Sequence, residues 1–186
     1  MRRKALELLV LKGFDGFSMQ KLARAAGVSP ATIYIYFEDR EGLILALHAD
    51  AMARMTEATL SDFDPDLPFA RGLKAQWMSR ARWCLEHPLE ADFLEQVRFS
   101  PFHDAAQKAL PPAFTHAMRV FRANAIRRKE LVKVPVEVFW SVAFAPLHQL
   151  VKFHRHGRGM PGTGPFALDG KVLQRTLDLV LKALTP

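Results

Sequence analysis

The side chains with the most distinctive chemistry lie between Ser29 and Arg40. Thr32, Tyr34, Tyr36 and Arg40 offer hydroxyl and guanidinium donors, and Ser29, Pro30, Ala31 and Ile35 stand among them. Tyr, Thr and Arg hydrogen-bond to phosphate oxygens and so position a protein on nucleic acid without specifying sequence. The smaller and apolar members of the set are expected nearest the bases. The group contains no catalytic constellation, and its surface suits a DNA major groove.

Such a surface needs a helix held at a fixed angle, and the flanking residues supply one. Ser18 is placed to cap a helix whose buried face is Met19, Leu22, Ala23 and Ala26, at i, i+3, i+4 and i+7. Gly27 closes that helix through a left-handed conformation, and Val28 plugs the turn. Ser29 then caps a second helix with Pro30 in its first turn, where a missing N–H costs nothing. Ile33 and Phe37 form its inner face. Small Ala23, turn Gly27 and buried Ile33 in that order predict a helix-turn-helix. The competing interpretation is a plain helical hairpin with half-buried tyrosines, which accounts for any single element but not for the conjunction.

Residues 5–47 resemble the DNA-binding domain of the TetR family of bacterial transcriptional regulators. The matching residues are Gly13 and Phe14, Ser18 and Met19, the run from Ala23 to Ser29, Thr32 to Tyr34, Tyr36 and Phe37, and Arg40, Glu41 and Leu43. Arg40 stands where the family usually has Lys, which keeps charge but changes geometry. The basic arm often seen in the family is reduced to Arg2, Arg3 and Lys4. The resemblance implies an all-α fold: a three-helix DNA-binding domain over residues 1–47 and a larger helical bundle for effector binding and dimerisation over residues 48–186. It also implies a homodimer that binds double-stranded operator DNA as a repressor and is released by a small-molecule effector, which the aromatic content of the larger domain leads one to expect is apolar or aromatic. Control by a protein partner is a second possibility. A third is a helical ligand-binding or enzymatic domain whose head no longer binds DNA.

Composition agrees with a folded regulator. The chain has 186 residues, 49% of them hydrophobic, and one cysteine, which excludes an internal disulfide framework. Cys84 lies between Trp83 and Leu85 and is expected to be a buried, inert thiol. No apolar run is long enough to span a membrane and no secretory signal is visible, so a cytoplasmic location is expected. The net charge is +7, but residues 1–47 hold only 7 Lys/Arg against 5 Asp/Glu, leaving 19 against 14 for the remainder. DNA binding therefore rests on the motif and not on bulk charge. Arg127, Arg128 and Lys129 form a basic run best read as a solvated helix end. No Gly-rich phosphate loop, nucleophile elbow or paired carboxylates point to an enzyme. Neither a cofactor nor a metal is expected: His154 and His156 sit among Lys152, Arg155 and Arg158, whose charges repel a metal ion.

Past the head the pattern stays helical. Leu43, Ile44, Leu47 and Ala51 mark a fourth helix capped by Asp39, and residues 61–68 form a loop rich in Asp and Pro. Helices follow over residues 69–86, 89–98, from 103 to about 110, 113–129, 135–156 and 168–184, with a Gly/Pro loop over 157–165. Trp77, Phe114, Met118, Phe121, Trp140 and Phe144 are expected to wall an effector cavity, with His148 as a polar group and His103, His116 and Gln149 as further candidates. A dimer interface is expected along Val136, Phe139, Ala143 and Leu147 of the penultimate helix. Its counterpart is Leu173, Leu177, Val180, Leu181 and Leu184 of the last. Pro146 should kink the penultimate helix.

Overall fold

A computed structural model describes residues 1–108 and 112–186, so the expected helical continuation through Ala109 and Leu110 to Pro111 lies outside the described residues. Among the described residues the chain is helical with no strand. In chain order the helices are α1 (Arg2–Gly16), α2 (Met19–Ala26), α3 (Pro30–Tyr36), α4 (Arg40–Leu60), α5 (Phe69–Glu86) and α6 (Pro88–Arg98). After them come α7 (His103–Lys108), α8 (Ala113–Arg127), α9 (Val136–Ala143), α10 (Ala145–His156) and α11 (Gly170–Leu184). None of the described helices is long and apolar enough to cross a membrane.

The chain divides into two compact units, one of Met1–Met55 with His87–Pro111 and one of Thr56–Glu86 with Pro112–Pro186. The first unit is larger than the expected head of residues 1–47. Its core joins Leu9, Leu22, Ile33, Leu43 and Ile44 to Phe93, Val97 and Ala106 of α6 and α7. Polar ties reinforce the packing: Gln96 donates to the Val10 carbonyl at 3.1 Å and Arg54 pairs with Glu90 at 3.6 Å. Three short helices offer little apolar surface for a core, and α6 supplies the missing wall. His103, a candidate for the effector pocket, belongs to this unit and not to the larger bundle.

The second unit is built around aromatic residues. Phe69, Trp77, Phe121, Phe139 and Phe144 are fully buried in it. Gly72 on α5 lies where the Phe121 ring passes, and an added Cβ would sit 2.4 Å from that ring. The loop before α5 is pinned by the end of α8: Asn124 donates to the Asp66 carboxylate at 2.6 Å and Arg128 to the Leu67 carbonyl at 2.7 Å. Glu130 accepts from the Phe69 amide at 2.8 Å, capping α5 from a distant part of the chain. Arg128 also pairs with Glu130, so the basic run at the end of α8 is a clamp on this loop and not merely a solvated tip.

The expected penultimate helix is two helices. The chain leaves helical geometry at Phe144 (φ −124°, ψ −25°), and Pro146 occupies the first turn of α10. That is where a proline is tolerated, and it turns the expected kink into a break. The expected dimer stripes are mostly consumed inside the unit. Phe139, Ala143 and Leu147 are fully buried, as are Leu177 and nearly so Val180 and Leu184. Leu173 and Leu181 are partly buried, and Val136 is half exposed. Much of each stripe therefore faces the unit's own core, and α9 is in contact with α11. The apolar side chains left outside are Val136, Val138 and Leu179.

Candidate nucleic-acid interface

The helix-turn-helix forms by local rules. The Ser18 hydroxyl accepts from the Lys21 amide at 3.2 Å, and Gly27 adopts φ 68°, ψ 29°. The Val28 amide then bonds back to the Ala23 carbonyl at 3.0 Å. Ser29 accepts from the Thr32 amide at 3.2 Å, with Pro30 beginning α3. Each side-chain cap of this kind contributes about 1 kcal/mol, so local bonds favour this turn and this start of α3, and tertiary packing supplies the rest. Ile33 and Phe37 then anchor α3 in the head core.

The opposite side of α3 is open. Tyr34 is 52% exposed, Ile35 78% and Tyr36 68%. Ser29, Pro30 and Ala31 are also exposed, and Thr32 is partly so. Seven of the eight expected DNA-contacting residues therefore share one accessible surface. The hydroxyls of Ser29 and Thr32 lie 2.9 Å apart and bond to each other.

Arg40 departs from that set. Its guanidinium turns inward, donating to the Phe14 carbonyl and lying 5.9 Å from the Phe102 ring centroid. It ties the start of α4 to α1 and α7 surroundings within the head and does not stand out toward a phosphate. The basic side chains of Arg2, Arg3 and Lys4 are similarly occupied. Arg2 pairs with Asp50 and lies over the Phe37 ring, while Arg3 and Lys4 pair with Glu7.

The expected effector residues fall into two groups. Trp77, Phe121 and Phe144 are fully buried and Met118 nearly so, as members of a packed core. The Trp77 indole donates to the Ala143 carbonyl at 2.6 Å. Phe114, Trp140 and His148 are partly exposed. What unites Phe114, Trp140 and Phe144 is a residue that sequence reasoning missed: the buried Arg80, whose guanidinium carbon lies 5.2, 5.6 and 5.1 Å from their ring centroids. The signal was available, since Arg80 falls seven residues after Leu73 and three after Trp77 on the inner face of α5. His116 is exposed beside Arg119 and takes no part in this cluster.

A separate concavity of about 620 Å³ lies at the end of α10, lined by Gln149, Lys152, Phe153, His156, Arg158 and Gly159. From the sequence this stretch reads as a solvated basic tip. His154 is occupied by structure, its Nδ1 accepting from the Leu168 amide at 3.1 Å. Cys84 is buried, as its neighbours led one to expect.

A capped helix-turn-helix presenting its second helix to solvent, set in an all-α chain, defines a helix-turn-helix protein of the DNA-reading kind. Residues 2–47 match the family model described as bacterial regulatory proteins, tetR family. By that match residues 2–47 are similar to the DNA-binding domain of the TetR family. An HTH-type transcriptional regulator of Haemophilus influenzae is 34% identical over 95 residues, 50% of each chain. The HTH-type transcriptional repressor AcnR of Corynebacterium glutamicum is 28% identical over 113 residues, 51% of this chain and 60% of that one. The chain thus spans about half the length of the curated relatives it matches. The fold extends further: a TetR family transcription regulator from Marinobacter aquaeolei superposes with a TM-score of 0.80 at 22% identity, covering 98% of this chain and 92% of that one. These relatives are named as regulators of transcription, not as enzymes.

Proposed function

We propose that the protein is a homodimeric transcriptional regulator that represses by binding operator DNA and is released by a small apolar or aromatic effector. The observation that carries the DNA part is the open face of α3, with Pro30, Ala31 and Ile35 flanked by Tyr34 and Tyr36 on a helix capped at its start and anchored by Ile33. That face enters the major groove. Tyr34, Tyr36 and Thr32 reach the phosphates on either side, and Ser29, Pro30, Ala31 and Ile35 lie nearest the bases. Arg40 acts through the shape of the head by holding α4 to Phe14.

The effector part is supported by the aromatic cluster around Arg80, where Phe114 and Trp140 remain partly exposed. An aromatic or apolar molecule entering there would meet ring faces and a cation together, the combination that ligand sites use for affinity and orientation. The dimer is supported by Val136, Val138 and Leu179, large apolar side chains left on the surface of α9 and α11. Two heads in a two-fold dimer read half-sites about one helical turn or a multiple of it apart.

Titration of full-length protein against labelled DNA from upstream of its own gene tests the reading. Saturable binding that weakens steeply with salt is expected. Equal, weak affinity for that DNA and for an unrelated duplex would remove the regulator from consideration. A ligand that binds and lowers operator affinity must itself be weakened by operator to the same factor, typically worth about 1–3 kcal/mol.

A further inference from the structure

The exposed surface of α3 lacks the side chains with which proteins distinguish guanine, adenine and cytosine by paired hydrogen bonds. Those are Arg or Lys for guanine, Asn or Gln for adenine, and Asp or Glu for cytosine. The helix reads PATIYIY and contains none of them. Glu38 comes after the C-cap residue Phe37, beyond the helix. At roughly 100° per residue, Ala31 and Ile35 lie opposite the buried Ile33, on the ridge that would enter a groove most deeply. Pro30 and Tyr34 stand on one flank of this ridge, Thr32 and Tyr36 on the other. Ile35 is 78% exposed, so its branched side chain is the most prominent feature of the ridge. The hydroxyls of Ser29 and Thr32 are engaged with each other and with the start of the helix.

One base feature in the major groove is apolar: the 5-methyl group of thymine. From the face of α3 we infer that the protein reads its operator chiefly by packing Ala31 and Ile35 against thymine methyl groups, with Ile35 as the specificity-determining residue. This inference rests on the DNA-binding reading above. It makes the half-site centre a cluster of T·A pairs, selected by apolar contact and not by bidentate hydrogen bonds. The absence of acidic groups from α3 also leaves no negative charge on the helix to oppose close approach to the DNA.

The test begins with selection of a binding duplex from a randomised double-stranded DNA library, using the full chain. The selected duplex is then made with uracil in place of thymine at the half-site centre, which deletes the methyl and leaves every hydrogen-bonding group in place. Burial of one methyl-sized group predicts about fourfold weaker binding per contacted methyl. At the same positions, 5-methylcytosine paired with guanine should bind more tightly than plain cytosine paired with guanine. Ile35→Ala should lose most of the parent's preference for the thymine over the uracil duplex, with an unchanged salt slope, and its thermal midpoint should match the parent because the side chain is exposed. A selected duplex that binds the parent equally well with uracil overturns the methyl reading and leaves DNA binding intact. Failure to enrich any duplex overturns the DNA-binding reading, and this inference with it.

Discussion

At the scale of single residues, Gly72, Arg40 and His48 separate effects that composition cannot. Alanine in the middle of a helix is about 1 kcal/mol better than glycine, so Gly72→Ala in α5 would ordinarily stabilise. Here the new Cβ meets a fully buried Phe121 ring at 2.4 Å. Overpacking of that kind typically costs about 1–3 kcal/mol, so net destabilisation is expected, read as a lower denaturation midpoint in urea. Arg40→Ala discriminates between two roles. A phosphate contact would reduce the salt slope of DNA binding by about one unit, whereas the inward geometry predicts an unchanged slope and a lower thermal midpoint. His48 is buried on α4, and burial first and the nearby His103 second push its pKa below the ordinary value. The unfolded chain then takes up the proton near pH 6.5 while the folded one resists it until lower pH. Stability is therefore full above about pH 6.5 and declines as pH falls below it. Denaturation midpoints of the parent should show that slope between neutral pH and pH 5, and His48→Leu should flatten it.

Among the helices, end signals set the boundaries and faces set the neighbours. Ser18, Ser29, Asp39 and Asp169 each accept from an amide three residues on, which fixes where α2, α3, α4 and α11 begin. These caps are legible in sequence because donor and acceptor are three residues apart. The cap on α5 is not legible, because Glu130 lies 61 residues from the Phe69 amide it accepts. That hydrogen bond and the Arg128 partner hold the Glu130 carboxyl below the usual carboxylate range, with the backbone bond the larger cause. The helix α5 should accordingly lose its remote cap in the Glu130→Ala variant. Amide hydrogen exchange in the first turn of α5 should quicken, while the first turn of α3 exchanges as before. Equal protection of the α5 amides in both proteins would show that the cap is idle.

For the whole molecule, the exposed side chains decide how two copies could meet. Leu177 is fully buried within its own unit, so Leu177→Arg should unfold the chain by burying an unpaired charge. Leu179, 56% exposed, reports on association instead. The parent should sediment as a dimer at micromolar concentration, and Leu179→Arg should sediment as a folded single chain. A parent that sediments as one chain would remove the dimer and with it the paired half-site mechanism.

What the sequence determined by itself was whatever depends on residues within about one helical turn. Ser18, Gly27, Ser29 and Pro30 specify the helix-turn-helix, Ile33 specifies which side of α3 is buried, and Tyr34, Ile35 and Tyr36 are consequently left outside. The all-α class and a disturbance of the penultimate helix near Pro146 follow from the same local rules, though the kink expected there is a break at Phe144. Tertiary structure alone decided the questions of which face meets which. It drew Phe93, Val97 and Ala106 into the head, turned Arg40 toward Phe14, and set Arg80 among three rings. It also buried most of the apolar stripes of α9, α10 and α11 within the unit. Apolar periodicity tells that a face must be buried, but the hydrophobic effect has no direction, so only the packed chain selects the partner that buries it.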